Sequence, residues 1–207
     1  YNITLGGITI ETPTGEKAVF VARMASDGTW DWLLGLNGTD VVNDMDVDSA
    51  GNAYIVGEYV DGGCANGGPL EWGESSAGCY WGSNQMHGYL AKAGEGGTQA
   101  WIRTIQGGSS QPFRIDAVSI AEAPDGSFNN IVIAGSVHYG GGGYWTTIVN
   151  SGEVTCFSSQ ETLSGYTMKL DSGGMCIGSN LGMGFMWMDE NQGSEYLVIT
   201  DLYVHSD

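Results

Sequence analysis

Short runs in which apolar and polar residues alternate succeed one another along this chain, each closed by a glycine-rich turn. A period of two over four to eight residues is the mark of a half-buried strand, and a turn rich in Gly and Asp between two such runs marks a hairpin. The run Phe20-Val21-Ala22-Arg23-Met24 leads through Asp27-Gly28 to Trp32. The same frame returns as Tyr89-Leu90-Ala91-Lys92 with Gly96-Gly97 and Trp101. It returns again as Tyr166-Thr167-Met168-Lys169-Leu170 with Gly173-Gly174, where Gly178 stands in the tryptophan position.

A second hairpin follows each of these. In the first copy it runs from Asn43 to Asp48, turns at Ser49-Ala50-Gly51-Asn52 and returns over Ala53-Tyr54-Ile55-Val56-Gly57. Its counterparts are Ile115 to Ala121 with Asn130 to Gly135, and Phe185 to Met188 with Tyr196 to Ile199. Four short antiparallel strands per copy predict an all-β fold of about three repeated four-stranded, propeller-like blades. Within a single domain 1–207, this gives blade 1 at about 15–60, an insert at 58–86 and blade 2 at about 87–136. A second insert at 136–163 and blade 3 at about 164–207 complete it. In the alternation Asp44-Met45-Asp46-Val47-Asp48, the apolar pair is expected on the buried face and the carboxylates on the wet one.

The aromatic strand ending in Ala-Arg or Ala-Lys, the Asp-Gly turn, the Trp and the stretch from Val47 to Gly57 resemble the bacterial and archaeal β-propeller repeat family abbreviated SBBP. The resemblance implies blades and export. It implies no activity.

Composition narrows the function. Glycine supplies 35 of the 207 residues, with only 4 prolines and no collagen-like period, which fits many tight turns. Aromatic residues make up 11%, enough apolar surface for a folded core. Six basic residues against 24 acidic ones give a net charge of −18, which disfavours nucleic acid and anionic membrane as partners. No apolar stretch is long enough to predict membrane insertion.

Cys64, Cys79, Cys156 and Cys176 lack metal-ligand spacing, so the even count predicts two disulfides and an oxidising, extracellular or cell-surface location. Three connectivities are open, and the nearest-neighbour one, Cys64 with Cys79 and Cys156 with Cys176, is favoured. Sequons at Asn2 and Asn37 fit an exported glycoprotein. Trp72, Tyr80, Trp81, Tyr144 and Trp145 in the two inserts are the candidates for stacking on a glycan, against the plainer expectation that they cap the core or fill an interface.

Of the chemistry a sequence can announce, calcium comes nearest. Asp44, Asp46 and Asp48 resemble the start of a calcium loop, but Ser49 and Ile55 stand where that loop needs Gly and Glu. A solvated strand face is the favoured reading, with no cofactor expected. His87, His138 and His205 have no metal-binding spacing, and no nucleophile elbow or phosphate loop is present, so the chain is expected not to be an enzyme.

The ends suggest an assembly. Leu5, Ile8 and Ile10 lie in a segment resembling the second half of the connection between repeats, and Leu202, Tyr203 and Val204 lie in one resembling its first half. Three blades are too few to close a propeller. Strand exchange between subunits would complete the fold and give a homo-oligomeric ring or filament. The expected function is therefore an extracellular structural protein that self-associates head to tail. The alternative is a carbohydrate- or surface-binding module working through its aromatic loops.

Overall fold

The computed structural model describes residues 2–12, 17–39, 41–61, 70–77, 85–106, 113–122, 129–138, 145–149, 154–159 and 163–180. In chain order its strands are β1 (Asn2–Leu5), β2 (Ile8–Glu11), β3 (Ala18–Met24), β4 (Trp30–Asn37), β5 (Asp44–Val47), β6 (Ala53–Asp61), β7 (Leu70–Trp72) and β8 (Ser75–Ala77). They continue as β9 (Gln85–Gly94), β10 (Thr98–Gln106), β11 (Phe113–Glu122), β12 (Asn129–His138), β13 (Trp145–Val149), β14 (Val154–Ser159), β15 (Leu163–Leu170) and β16 (Cys176–Asn180). No helix occurs among the described residues, so the fold is all-β, and every strand pairing is antiparallel.

The turns follow from local chemistry. Four hairpins share a loop whose fourth residue is a glycine at positive φ: Gly28 (88°), Gly51 (82°), Gly97 (76°) and Gly174 (76°). The N–H of each donates to the carbonyl three residues back, on Ala25, Asp48, Gly94 and Asp171. A side chain at these positions would be strained, which is why glycine recurs there. Aspartates brace three of the four loops: Asp27 accepts from Thr29, Asp48 from Asn52, and Asp171 from the N–H groups of Gly173 and Met175.

Sheet assembly is offset by one hairpin from the repeat boundaries at 15–60, 87–136 and 164–207. The first sheet has the order β3-β4-β7-β8, the second β14-β13-β10-β9-β6-β5 and the third β11-β12-β15-β16, while β1 and β2 pair only with each other. The second hairpin of one copy therefore joins the first hairpin of the next, through β6 with β9 and β12 with β15. Each insert sends a hairpin back to the preceding sheet, β7–β8 onto β4 and β13–β14 onto β10. Glycine selects these pairings. Gly57 stands opposite Tyr89 and Gly135 opposite Tyr166, so each ring lies over a residue with no side chain.

Two cores result. Tyr54, Val56, Leu90, Ile105, Phe113, Ile115, Ile133, Tyr166, Met168 and Leu170 fill the space between the second and third sheets. Val21, Leu36, Ala53, Ile55, Leu70, Trp72, Tyr89, Ala91 and Ala93 fill that between the first and second. Successive residues of β6 and β9 alternate between the cores, so the first and third sheets lie against opposite faces of the second. Burial of each large side chain stabilises the fold by about 1.5–3 kcal/mol before entropy is subtracted.

Candidate functional site

The acidic triplet proves to be structural, and its polarity is reversed from expectation. Met45 and Val47 are about half exposed, at 48% and 50%, whereas Asp48 is buried and Asp44 and Asp46 are partly so. The reason lies in β5 being an edge strand whose neighbour is another edge. The Asp44 carboxylate accepts from the Val118 N–H at 2.9 Å and that of Asp46 from the Ile120 N–H at 2.7 Å. Their second oxygens accept from the N–H groups of Met45 and Val47, both at 2.8 Å. Asn43 adds a bond from its amide to the Ile115 carbonyl at 2.7 Å. Side chains of β5 thus ladder onto the backbone of β11 and occupy both edges, a known means of blocking stray strand pairing.

Asp48 holds the next turn. Its carboxylate accepts from the N–H and the amide of Asn52, both at 2.8 Å, and from the Tyr54 hydroxyl at 3.1 Å. Burial opposes ionisation, but these hydrogen bonds outweigh it and hold the Asp48 carboxyl below its ordinary value. Burial and the Asp48 charge push the Tyr54 hydroxyl well up. Among the described residues, no group of three or more His, Cys, Asp or Glu side chains is arranged to hold a metal ion. A buried ion cluster, Arg114 with Glu58 at 2.8 Å and Asp116 at 3.4 Å, ties β6 to β11 near the Tyr166 hydroxyl.

The remaining sequence candidates divide. Trp72 is fully buried in the core and donates from its indole to the Lys92 carbonyl at 3.0 Å, so it is no ligand platform. Trp145 opens β13, and Tyr80, Trp81 and Tyr144 lie outside the described residues. Asn2 is exposed on β1, whereas Asn37 is a paired residue of β4 with its side-chain oxygen shielded from solvent. Cys176 is disulfide-bonded, and β16, which it opens, packs beside β14, which carries Cys156. Cys64 and Cys79, like Leu202, Tyr203 and Val204, lie outside the described residues. Leu5, Ile8 and Ile10 line the half-buried side of the β1–β2 hairpin, where Leu5 pairs with Ile8. That hairpin lies beside β4, with the Ile10 side chain over Gly35 and the Trp30 ring against Gly6.

Sequence reasoning missed the outer side of β3. Phe20 is 48% exposed and Met24 57%, yet their counterparts Tyr89 and Ala93 are fully buried, as are Tyr166 (2%) and Leu170 (0%). The later copies are covered because the sheet before each packs on this face, and because β6 or β12 pairs along the adjoining edge. Among the described residues, β3 has no strand along that edge.

The turns show the same asymmetry. Trp32 and Arg23 of the first sheet both donate to the Glu95 carbonyl, at 2.9 and 3.1 Å, and the Trp32 side chain covers Gly97. Arg103 of the second sheet donates to the Gly173 carbonyl at 3.0 Å, and Trp101 covers Gly174. The equivalent Gly28 of the first sheet has open space above it. The signal was present in the sequence as a full repeat frame at Phe20 that follows the short β1–β2 pattern of residues 2–11 and not a copy of the Asn43–Gly57 hairpin. Compared with known proteins, the chain matches no family model and no curated relative.

Proposed function

We propose that this chain is an extracellular structural subunit that associates head to tail, its sheets serving as the propeller-like blades of a continuous row. The supporting observation is the outer side of β3, where Phe20 and Met24 lie exposed in a position that the fold covers in both other copies. A repeat protein buries its apolar faces by stacking like units, and terminal units need a polar cap to stop the series. On this outer face the β1–β2 hairpin covers β4, with Ile10 over Gly35, and leaves the aromatic and the methionine of β3 open beside it. The disulfide at Cys176 and the acidic composition fit an oxidising exterior.

Electron microscopy of the purified chain, beside light scattering over a range of concentrations, tests this reading. Rings or filaments are the expected outcome. A monodisperse monomer at every concentration would remove it.

A further inference from the structure

The chain has two Asn-x-Thr triplets, Asn2-Ile3-Thr4 in β1 and Asn37-Gly38-Thr39 at the end of β4. As sequences they are equal acceptors for an N-linked glycan. The fold makes them opposites.

Residues i and i+2 of a strand share a face, so Asn2 and Thr4 stand together on the exposed side of β1, opposite Glu11 and Thr9 of β2. The other side of this hairpin, with Ile3, Leu5, Ile8 and Ile10, is half-buried, and the hairpin lies beside β4. The Thr4 hydroxyl is bonded to the Thr9 hydroxyl at 2.9 Å, an exposed contact that water can replace. A sugar on Asn2 would extend into solvent and displace no packed side chain.

Asn37 is hemmed in on both sides, paired with Ala18 of β3 and with Glu71 of β7, and its Oδ1 is enclosed without a hydrogen-bond partner. That oxygen is decisive. A glycosylated asparagine is a secondary amide, and secondary amides strongly prefer the trans form. The trans form places the sugar's C1 on the same side of the C–N bond as Oδ1, so the first sugar ring would need the space around an oxygen that the fold has closed off. Thr39 is committed as well. It is only 2% exposed, and its hydroxyl donates to the Glu58 carbonyl and accepts from the Val41 N–H at 3.0 Å.

The structure assigns Asn2 as an N-glycosylation site and Asn37 as a sequon that the folded chain keeps bare. The assignment rests on the extracellular reading and not on the head-to-tail one, since the donor, an oligosaccharide carried on a polyprenyl diphosphate, serves exported chains. In the transfer the bond from the sugar's C1 to the diphosphate oxygen breaks and a bond from C1 to Asn2 Nδ2 forms. The diphosphate leaves with the electron pair, and the amide gives up one proton to solvent. Where transfer precedes folding, the fold acts as the filter: a chain with a sugar on Asn37 could not close β4 between β3 and β7.

The test uses the full chain, secreted by a eukaryotic host behind a cleavable leader. Enzymatic deglycosylation in heavy-oxygen water converts each glycosylated asparagine to a labelled aspartate, which peptide mass spectrometry locates. The label should appear at residue 2 and not at residue 37. Asn2→Gln and Thr4→Val should each abolish it, with the thermal midpoint of the secreted chain staying within a few degrees of that of deglycosylated wild type.

If wild type is secreted and folded with Asn2 unlabelled, the site is wrong and the extracellular reading stands. Label at residue 37 of the secreted, folded chain would overturn the contrast between the two sequons. If neither wild type nor Asn2→Gln reaches the medium, the extracellular reading falls and takes the site with it.

Discussion

Tyr89 stands directly opposite Gly57, and its hydroxyl passes over that residue to donate a 2.7 Å hydrogen bond to the carbonyl of Val41. Tyr166 does the same across Gly135 to the carbonyl of Arg114, also at 2.7 Å. A ring covering a glycine in the neighbouring strand restores the packing that the missing side chain forfeits. The two pairs therefore fix which hairpin lies beside which.

A methyl group at either glycine has nowhere to go, since it would meet both the tyrosine hydroxyl and a backbone carbonyl. Gly57→Ala and Gly135→Ala should each destabilise the protein by about 1–3 kcal/mol or more, the usual cost of overpacking. Tyr89→Phe should cost about 1 kcal/mol through the lost hydrogen bond. Chemical denaturation monitored by tryptophan fluorescence measures all three, and a neutral Gly57→Ala would contradict the packing described.

The carboxylates of Asp44 and Asp46 are spent on N–H groups of β11 and of their own strand. Asp44→Ala and Asp46→Ala should each lower stability by about 1–3 kcal/mol, because backbone donors would lose a charged acceptor. Millimolar calcium or a chelator should leave the melting temperature of wild type unchanged. A calcium-dependent rise abolished by Asp46→Ala would show that these groups also hold a cation.

Acid should loosen the Asp48 turn. Its carboxyl is held below the ordinary value of 3.8, so the stabilisation is complete above that pH and disappears as pH falls through the lower, folded value. The melting temperature should therefore decline below about pH 4, and Asp48→Asn should flatten that acid limb. An unchanged acid limb in the variant would assign the effect elsewhere.

Alkali probes the opposite sign. Burial pushes the hydroxyls of Tyr54, Tyr89 and Tyr166 upward, so their contribution is intact below the ordinary value of 10.0 and lost as pH rises through the folded ones. Absorbance at the phenolate band should show these three silent until the protein unfolds. Early, reversible ionisation of all 10 tyrosines would contradict their burial.

Strands and turns were legible from the sequence because alternation and glycine are local signals. The frame from Phe20 to Trp32 and its echo from Tyr89 to Trp101 both form hairpins at the expected places. Partner choice was not legible, since it depends on Gly57 meeting Tyr89 across 31 residues of intervening chain, which no local period reveals. The face of β5 was misread for a related reason. Alternation fixes that Asp44 and Met45 point opposite ways, but which way is inward depends on β11, some 70 residues on. Trp72 takes the plainer of its two expected places, in the core and not on a glycan, because β7 returns to the first sheet, a pairing that no local period in the insert reveals.

The alternation of β6 and β9 between two cores has a thermodynamic side. Tyr54, Val56 and Leu90 belong to one cluster while Ala53, Ile55, Tyr89 and Ala91 belong to the other, so these strands form a party wall. Neither half can melt without stripping one surface of the wall it shares with its neighbour. Heat should therefore meet a single cooperative transition across both compartments, with the second sheet the last to yield.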